Sequence, residues 1–125
     1  MLFASITFAE SAIASLPKVF INNCYDGDTC TTFQGEKIRL ACIDTPELKG
    51  KNANPIPAKS ARNFLNNLVA YQEVSIKRIT NDRFGRTVAE LFKEEENIQK
   101  LIVNEGFGEI HKRYAYQCDW IKNSE

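Results

Sequence analysis

Three stretches rich in β-branched and aromatic residues follow one another early in the chain, Val19 to Cys24, Cys30 to Phe33 and Lys37 to Ile43. Asp26-Gly27 separates the first two, and Gln34-Gly35 the second and third. Asp-Gly between such runs is the strongest short-range hairpin signal a sequence carries. Two tight turns in succession predict a three-stranded meander, so the N-terminal half is committed to antiparallel sheet before any helix can form.

The next residues, "TPELKGKNANPIPAK", are dense in Pro, Gly, Asn and Lys and predict an exposed loop of a length that usually serves a function. From Pro57 to Tyr71 the apolar residues Ala61, Phe64, Leu65 and Leu68 recur at three and four, the spacing of a helix packed by one face on a sheet. "EVSIKRI" and "RTVAELF" alternate as strands joined at "TNDRFG". Asn97 to Glu105 predicts a short helix stopped by Gly106, with Glu94 to Glu96 near its positive N-terminal end. The fold class expected is β-rich α+β, a five-stranded OB-fold barrel with two or three flanking helices. An open α+β sheet fits the same pattern.

At 125 residues, 43% of them apolar and 26% charged, the chain has the size and composition of one globular domain. No apolar run reaches the ~20 residues needed to span a bilayer. Sixteen basic and sixteen acidic side chains cancel, which excludes a protein that coats nucleic acid by bulk positive charge. Any polyanion must be held locally. Local charge is uneven: Leu48 to Gln72 carries Lys49, Lys51, Lys59 and Arg62 with no acidic residue. Residues 1–18 are expected to be a signal-peptide remnant or a flexible N-terminus, since Ala12-Ile13-Ala14 suits a signal peptidase while Glu10 interrupts the apolar run. With four cysteines, a secreted or periplasmic location is expected, the cytoplasm being the alternative.

Asp28 closes the first turn and Asp44 ends the third strand of the same meander, so the two carboxylates are expected to meet. Paired carboxylates repel unless a proton or cation lies between them. With Thr45 adding a carbonyl or hydroxyl oxygen, the donors are hard and oxygen-only, suited to Ca²⁺ or Mg²⁺. Each motif alone predicts only a turn, because Asp-Gly and Thr-Pro are what turns use. Arg39 and Arg86 carry planar guanidiniums able to fork onto phosphate oxygens. Arg39 and Asp44 differ by an odd number and would face opposite ways on a regular strand, so convergence requires a bulge or bend near Ile43. Glu47 is then placed to deprotonate or order a water.

"DGDT" (Asp26 to Thr29), "IRLACIDTPE" (Ile38 to Glu47) and "DRFGR" (Asp82 to Arg86) resemble the three signature segments of the staphylococcal nuclease, or thermonuclease, family, in family order and with near-family spacing. "NIQKLIVNEGFGEIHKRY" is similar to the helix and tyrosine-bearing segment that follow. The resemblance implies an OB-fold phosphodiesterase, Ca²⁺-dependent, cleaving DNA and RNA to products with 3′-phosphate ends. It also implies that Asp28, Asp44 and Thr45 hold the metal, Arg39 and Arg86 bind the phosphate, and Glu47 is the candidate general base. A monomer acting on DNA and RNA is expected. The alternative is a catalytically silent OB-fold module binding single-stranded nucleic acid or a protein partner, and the presence of all six residues argues against it.

The resemblance is not complete. Phe84 stands where family members have a tyrosine on a phosphate, leaving Arg83 beside it to carry charge. Tyr114 matches one family tyrosine, but Lys112 occupies its partner's position. Arg83, Phe84 and Tyr114 are thus the expected substrate-binding residues, and His111 is expected to be a surface bystander. Family members continue through a third helix, so residues 19–125 are expected to form a single nuclease-like domain with that helix truncated. Four cysteines allow three pairings. Cys24 and Cys30 face each other if the first turn is a three-residue loop, and Cys42 with Cys118 is the complementary bond; four free, packed thiols are the alternative.

Overall fold

A computed structural model describes residues 12–122; the leader expected in residues 1–18 lies mostly outside them. The strands are β1 (Lys18–Asp26), β2 (Thr29–Thr32), β3 (Lys37–Leu40), β4 (Ile43–Asp44), β5 (Glu73–Asn81), β6 (Thr87–Lys93), β7 (Glu96–Asn97) and β8 (Glu109–Ile110). The helices are α1 (Pro55–Val69), α2 (Ile98–Asn104) and α3 (Asp119–Lys122), with a 3-10 turn, η1, at Lys112–Gln117. Strands pair in the order β3-β2-β1-β5-β6, and β3 pairs again with β6, so the five close into a barrel. The closing pair is parallel, Arg39 opposite Val88, while the other neighbours are antiparallel. This is the α+β five-stranded barrel expected from the patterning.

The barrel is filled by alternate side chains of its strands, with Ile21, Ile38, Leu40, Ile76 and Leu91 fully buried. Helix α1 begins on two prolines at its first turn, where no N–H is needed, and buries Ala58, Ala61, Leu65 and Val69 on one face. Asn66 on that face bonds Cys24 twice, accepting from its N–H at 2.8 Å and donating to its C=O at 2.9 Å. The helix is thereby fixed beneath the β1–β2 hairpin. Among the described residues, no helix is long and apolar enough to cross a membrane.

Two local expectations change. Lys37 to Ile43 is not one strand: it breaks after Leu40, and Cys42 adopts the left-handed region with φ of 69°. Such a φ is uncommon outside glycine and reverses the face on which the following residues emerge. The three glutamates do not sit at the start of α2 either, since Glu94 and Glu95 form the β6–β7 turn at φ of 50° and 71°. Asn97 caps α2 instead, its side chain accepting from the Lys100 N–H.

Glu90, on β6, is the most buried charged residue among those described, 3% exposed. Burial raises its carboxyl above the ordinary value of 4.5, against a hydrogen bond from Asn97 and the Lys77 charge. A raised acid contributes stability below its unfolded value and loses it as pH climbs through the folded one. Glu90→Gln therefore flattens the fall in stability above about pH 4.5, and the variant and the parent converge near pH 4. Thermal melts across that range read the effect, and parallel curves would show the buried charge to be compensated.

Candidate active site

The β1–β2 hairpin tip, the β3–β4 kink and the β5–β6 turn meet at one end of the barrel. A cleft of about 340 Å³ opens there, lined by Asp28, Arg39, Asp44, Thr45, Glu47 and Arg86. All six residues singled out for chemistry therefore face a common space. The kink at Cys42 is what permits it, because it supplies the break that the parity of Arg39 and Asp44 demands.

Arg39 stands at the centre. Its Nη1 donates to the Leu40 C=O at 2.6 Å and its Nη2 to the Ile43 C=O at 2.9 Å. The same Nη2 lies 3.5 Å from Asp28 Oδ2 and 3.6 Å from Asp44 Oδ1, so both carboxylates converge on it. Asp28 is only 6% exposed and fully engaged. Its Oδ2 accepts from the Thr45 N–H and the Thr45 hydroxyl, both at 3.0 Å, and its Oδ1 from the Thr29 hydroxyl at 3.2 Å. Thr45 thus spends its hydroxyl proton orienting Asp28. Glu47 is exposed at the cleft's rim, its carbonyl tied to the Asn54 N–H.

Arg86 is set from behind by Asp82, a residue the sequence reading passed over. Asp82 accepts from the Phe84 N–H, the Arg86 N–H and Arg86 Nε, the last at 2.7 Å. Burial pushes the Asp82 carboxyl up, but these hydrogen bonds outweigh it and hold the group below its ordinary value. Asp26 was also read as turn backbone alone. Its Oδ1 accepts from the Asp28 N–H at 3.0 Å, and burial together with the neighbouring Asp28 charge raises its carboxyl to about 6.

Gly27 is needed for space, not for a left-handed conformation. A Cβ there would lie 2.7 Å from Ala61 Cβ and 2.8 Å from Thr45 Oγ1, and one at Gly108 would lie 2.9 Å from Thr45 Cγ2. Both glycines press on the threonine that orients Asp28. Gly27→Ala is expected to cost about 2 kcal/mol of stability by overpacking, read by urea unfolding. It also displaces Thr45 and with it the hold on Asp28; an unperturbed melt would show that the hairpin yields instead.

The donors suit a hard divalent cation. Asp28 and Asp44 already share one counter-charge, the Arg39 guanidinium. Among the described residues no three His, Cys, Asp or Glu side chains close on a single point, so main-chain oxygen and water would complete the shell, as is usual for Ca²⁺ and Mg²⁺.

A second groove, about 540 Å³, shares Arg39 and Arg86 with the cleft and runs away from it. Arg83, Phe84 and Tyr114, expected to touch substrate, line it, as do His111 and Arg113. His111, expected to be a surface bystander, is half-buried, its ring lying 4.9 Å from that of Tyr114. Two disulfides back these walls. Cys24–Cys30 spans the hairpin bearing Asp28, and Cys42–Cys118 joins the β3–β4 kink to the end of η1. Two such bonds suggest an extracytoplasmic location.

Comparison with known proteins agrees with this geometry. The family described as Staphylococcal nuclease homologue matches residues 37–123, a span containing five of the six cleft residues above. An "Uncharacterized endonuclease" from Haemophilus influenzae is 31% identical over 104 residues, 80% of this chain and 56% of that protein. The chain thus spans just over half the length of this curated relative. Asp28, whose carboxylate the Thr45 amide and hydroxyl hold, lies upstream of the family match, yet it meets that span in space through Thr45 and Arg39. By the extent of the match and the relative's similarity, the chain belongs to the staphylococcal nuclease homologue family.

Proposed function

We propose that the protein is a Ca²⁺-dependent phosphodiesterase that hydrolyses DNA and RNA, leaving 3′-phosphate ends, and that it acts as a secreted or periplasmic monomer. The observation that carries this reading is the convergence of two carboxylates and two guanidiniums on one cleft contributed by a single chain. Family membership and the relative's printed name, endonuclease, support the reaction class.

Asp28 and Asp44, with the Thr45 carbonyl, would hold the cation. When bound there, Ca²⁺ supplies Lewis-acid polarisation of a phosphoryl oxygen. Everything else follows from the chain's own groups. Arg39 has five N–H donors; two go to the backbone and its Nη2 also faces Asp28 and Asp44, so Nε and the second Nη1 hydrogen are left, already oriented, for a phosphate at the cleft. Arg86, fixed by Asp82 through Nε, keeps both Nη groups for the same phosphate. In-line attack by water gathers negative charge on the phosphoryl oxygens, which preorganised donors stabilise more as it grows. Glu47 takes the proton from the attacking water. The P–O5′ bond breaks, and the 5′ oxygen leaves with a proton from solvent.

Incubation of DNA and RNA with Ca²⁺, Mg²⁺ or EDTA, followed by end-group analysis, tests cleavage, metal and bond at once. Cleavage to 3′-phosphate and 5′-hydroxyl ends in Ca²⁺, abolished by EDTA, is expected. Binding that survives EDTA and yields no product would instead identify the silent module. Glu47→Gln is expected to lose ~100-fold or more in kcat while still binding Ca²⁺. Full turnover in that variant removes Glu47 from the proton transfer.

A further inference from the structure

The chain has no net charge, so a polyanion has to be held by local charge, and the arginines show where that is. Of six arginines in the sequence, Arg39, Arg83, Arg86 and Arg113 line the 540 Å³ groove. Arg78 is bound to Glu36, and Arg62 lies on α1 against Asn63. Within the groove the four are not equivalent. Arg39 and Arg86 are held by carboxylates at the cleft end. Arg83 and Arg113 have no acidic partner among the described residues.

Each of these two lies over an aromatic ring, and Arg86 also reaches over the Phe84 ring, at 5.4 Å. The Arg83 guanidinium sits 4.9 Å from the centroid of Phe84, a ring 67% exposed, and that of Arg113 sits 5.4 Å from the centroid of Tyr114. The two pairs come from different elements, the β5–β6 turn and η1, and line one groove. A guanidinium stacked by its face keeps its in-plane N–H fork unspent, and that fork matches a phosphate. The ring beside it offers a face to a base. Arg83 and Phe84 continue the cleft through Arg86, and Arg113 with Tyr114 adds a second pairing beyond it, which fits a chain of bases and phosphates longer than one nucleotide.

We propose that Arg113, stacked on Tyr114, is a specificity-determining residue that binds a phosphate of the nucleotide chain away from the bond being cleaved, so that the enzyme selects oligonucleotides over the shortest phosphodiesters. This rests on the nuclease reading. It assigns η1, which buries no side chain of its own, a role in holding the strand.

The test compares Arg113→Gln and Arg113→Lys with the parent on a dinucleotide and on an oligothymidylate about ten nucleotides long, within the span an OB fold covers. In Arg113→Gln the ratio of kcat/KM for oligonucleotide over dinucleotide is expected to fall about tenfold, through KM and not kcat. The slope of log KM against log salt should flatten by about 0.7, the value for one phosphate contact on a single strand. Arg113→Lys should keep the salt slope and lose part of the ratio, because a lysine carries the charge without the planar fork. An unchanged ratio and slope in Arg113→Gln overturns the proposal, and so does an equal loss of kcat on both substrates. If the parent cleaves nothing, the nuclease reading fails by itself. Fluorescence anisotropy of the labelled oligothymidylate in EDTA then decides: tenfold weaker binding with the flatter slope supports Arg113, and equal binding overturns it.

Discussion

Arg39→Lys is expected to lower kcat ~100- to 1000-fold at saturating Ca²⁺ with little change in KM. In the parent, the guanidinium bridges the Leu40 and Ile43 carbonyls on either side of the Cys42 kink, and meets Asp28 and Asp44 with the same nitrogen that binds Ile43. That arrangement fixes its direction before substrate arrives, so no reorganisation is needed as charge builds on the phosphate. A lysine has three donors on one atom and cannot reach both carbonyls while facing a phosphate. Retention of a positive charge preserves the counter-ion for the two aspartates, so cation binding measured by calorimetry should survive. Steady-state kinetics beside that titration separate the two effects. A loss in kcat below tenfold would mean that Arg39 organises the hairpin and does not face the transition state.

Replacing Cys42 and Cys118 together by serine is expected to remove about 4 kcal/mol of stability, with a Tm lower by roughly 15 °C. The bond closes a loop across a sequence separation of 76, against 6 for Cys24–Cys30, and the loop-entropy relation gives about 2 kcal/mol for the shorter one. Packing points the same way. Cys42 and Cys118 form, with Ala41 and Ile121, a small buried cluster separate from the barrel core, and η1 buries no side chain of its own. Beyond this bond, η1 is held to the barrel by the β4–β8 pairing, the His111 N–H to the Cys42 C=O, and the Cys42 Sγ contact with the Tyr114 C=O. Urea unfolding of both serine pairs decides the order. A larger loss from the Cys24 and Cys30 pair would show that the long loop is already constrained in the unfolded chain.

Much of this fold is written locally. The two glycine turns, the alternation in β5 and β6 and the three-and-four spacing of α1 are short-range signals, and the strands and helix lie within two or three residues of where they predict. The cleft residues were legible for a different reason: three short motifs, each ambiguous alone, occur together. What escaped the sequence depends on neighbours distant in the chain. The left-handed Cys42 carries no glycine to announce it. Gly27 is the turn residue it looks like and also a gap that Ala61 and Thr45 fill. Asp82 reads as a loop acid until its three hydrogen bonds to Phe84 and Arg86 are seen. Arg113 gains meaning only from the groove it shares with Arg83, 30 positions earlier in the sequence.

The parallel pairing of β3 with β6 has a kinetic consequence. Ile38, Arg39 and Leu40 meet Thr87, Val88 and Ala89 across an intervening helix and two strands, and β1 meets β5 across a similar distance, while β1–β2, β2–β3 and β5–β6 join sequence neighbours. Loop-closure entropy makes the distant pairings slow relative to the hairpins. Arg39 lies in the β3–β6 seam and Arg86 directly precedes it, so the two guanidiniums are brought together only when the cylinder shuts. Chains that have formed only the hairpins and the helix hold the two halves of the proposed phosphate clamp apart. The proposed active centre therefore comes into being with the long-range pairings and not with the hairpins.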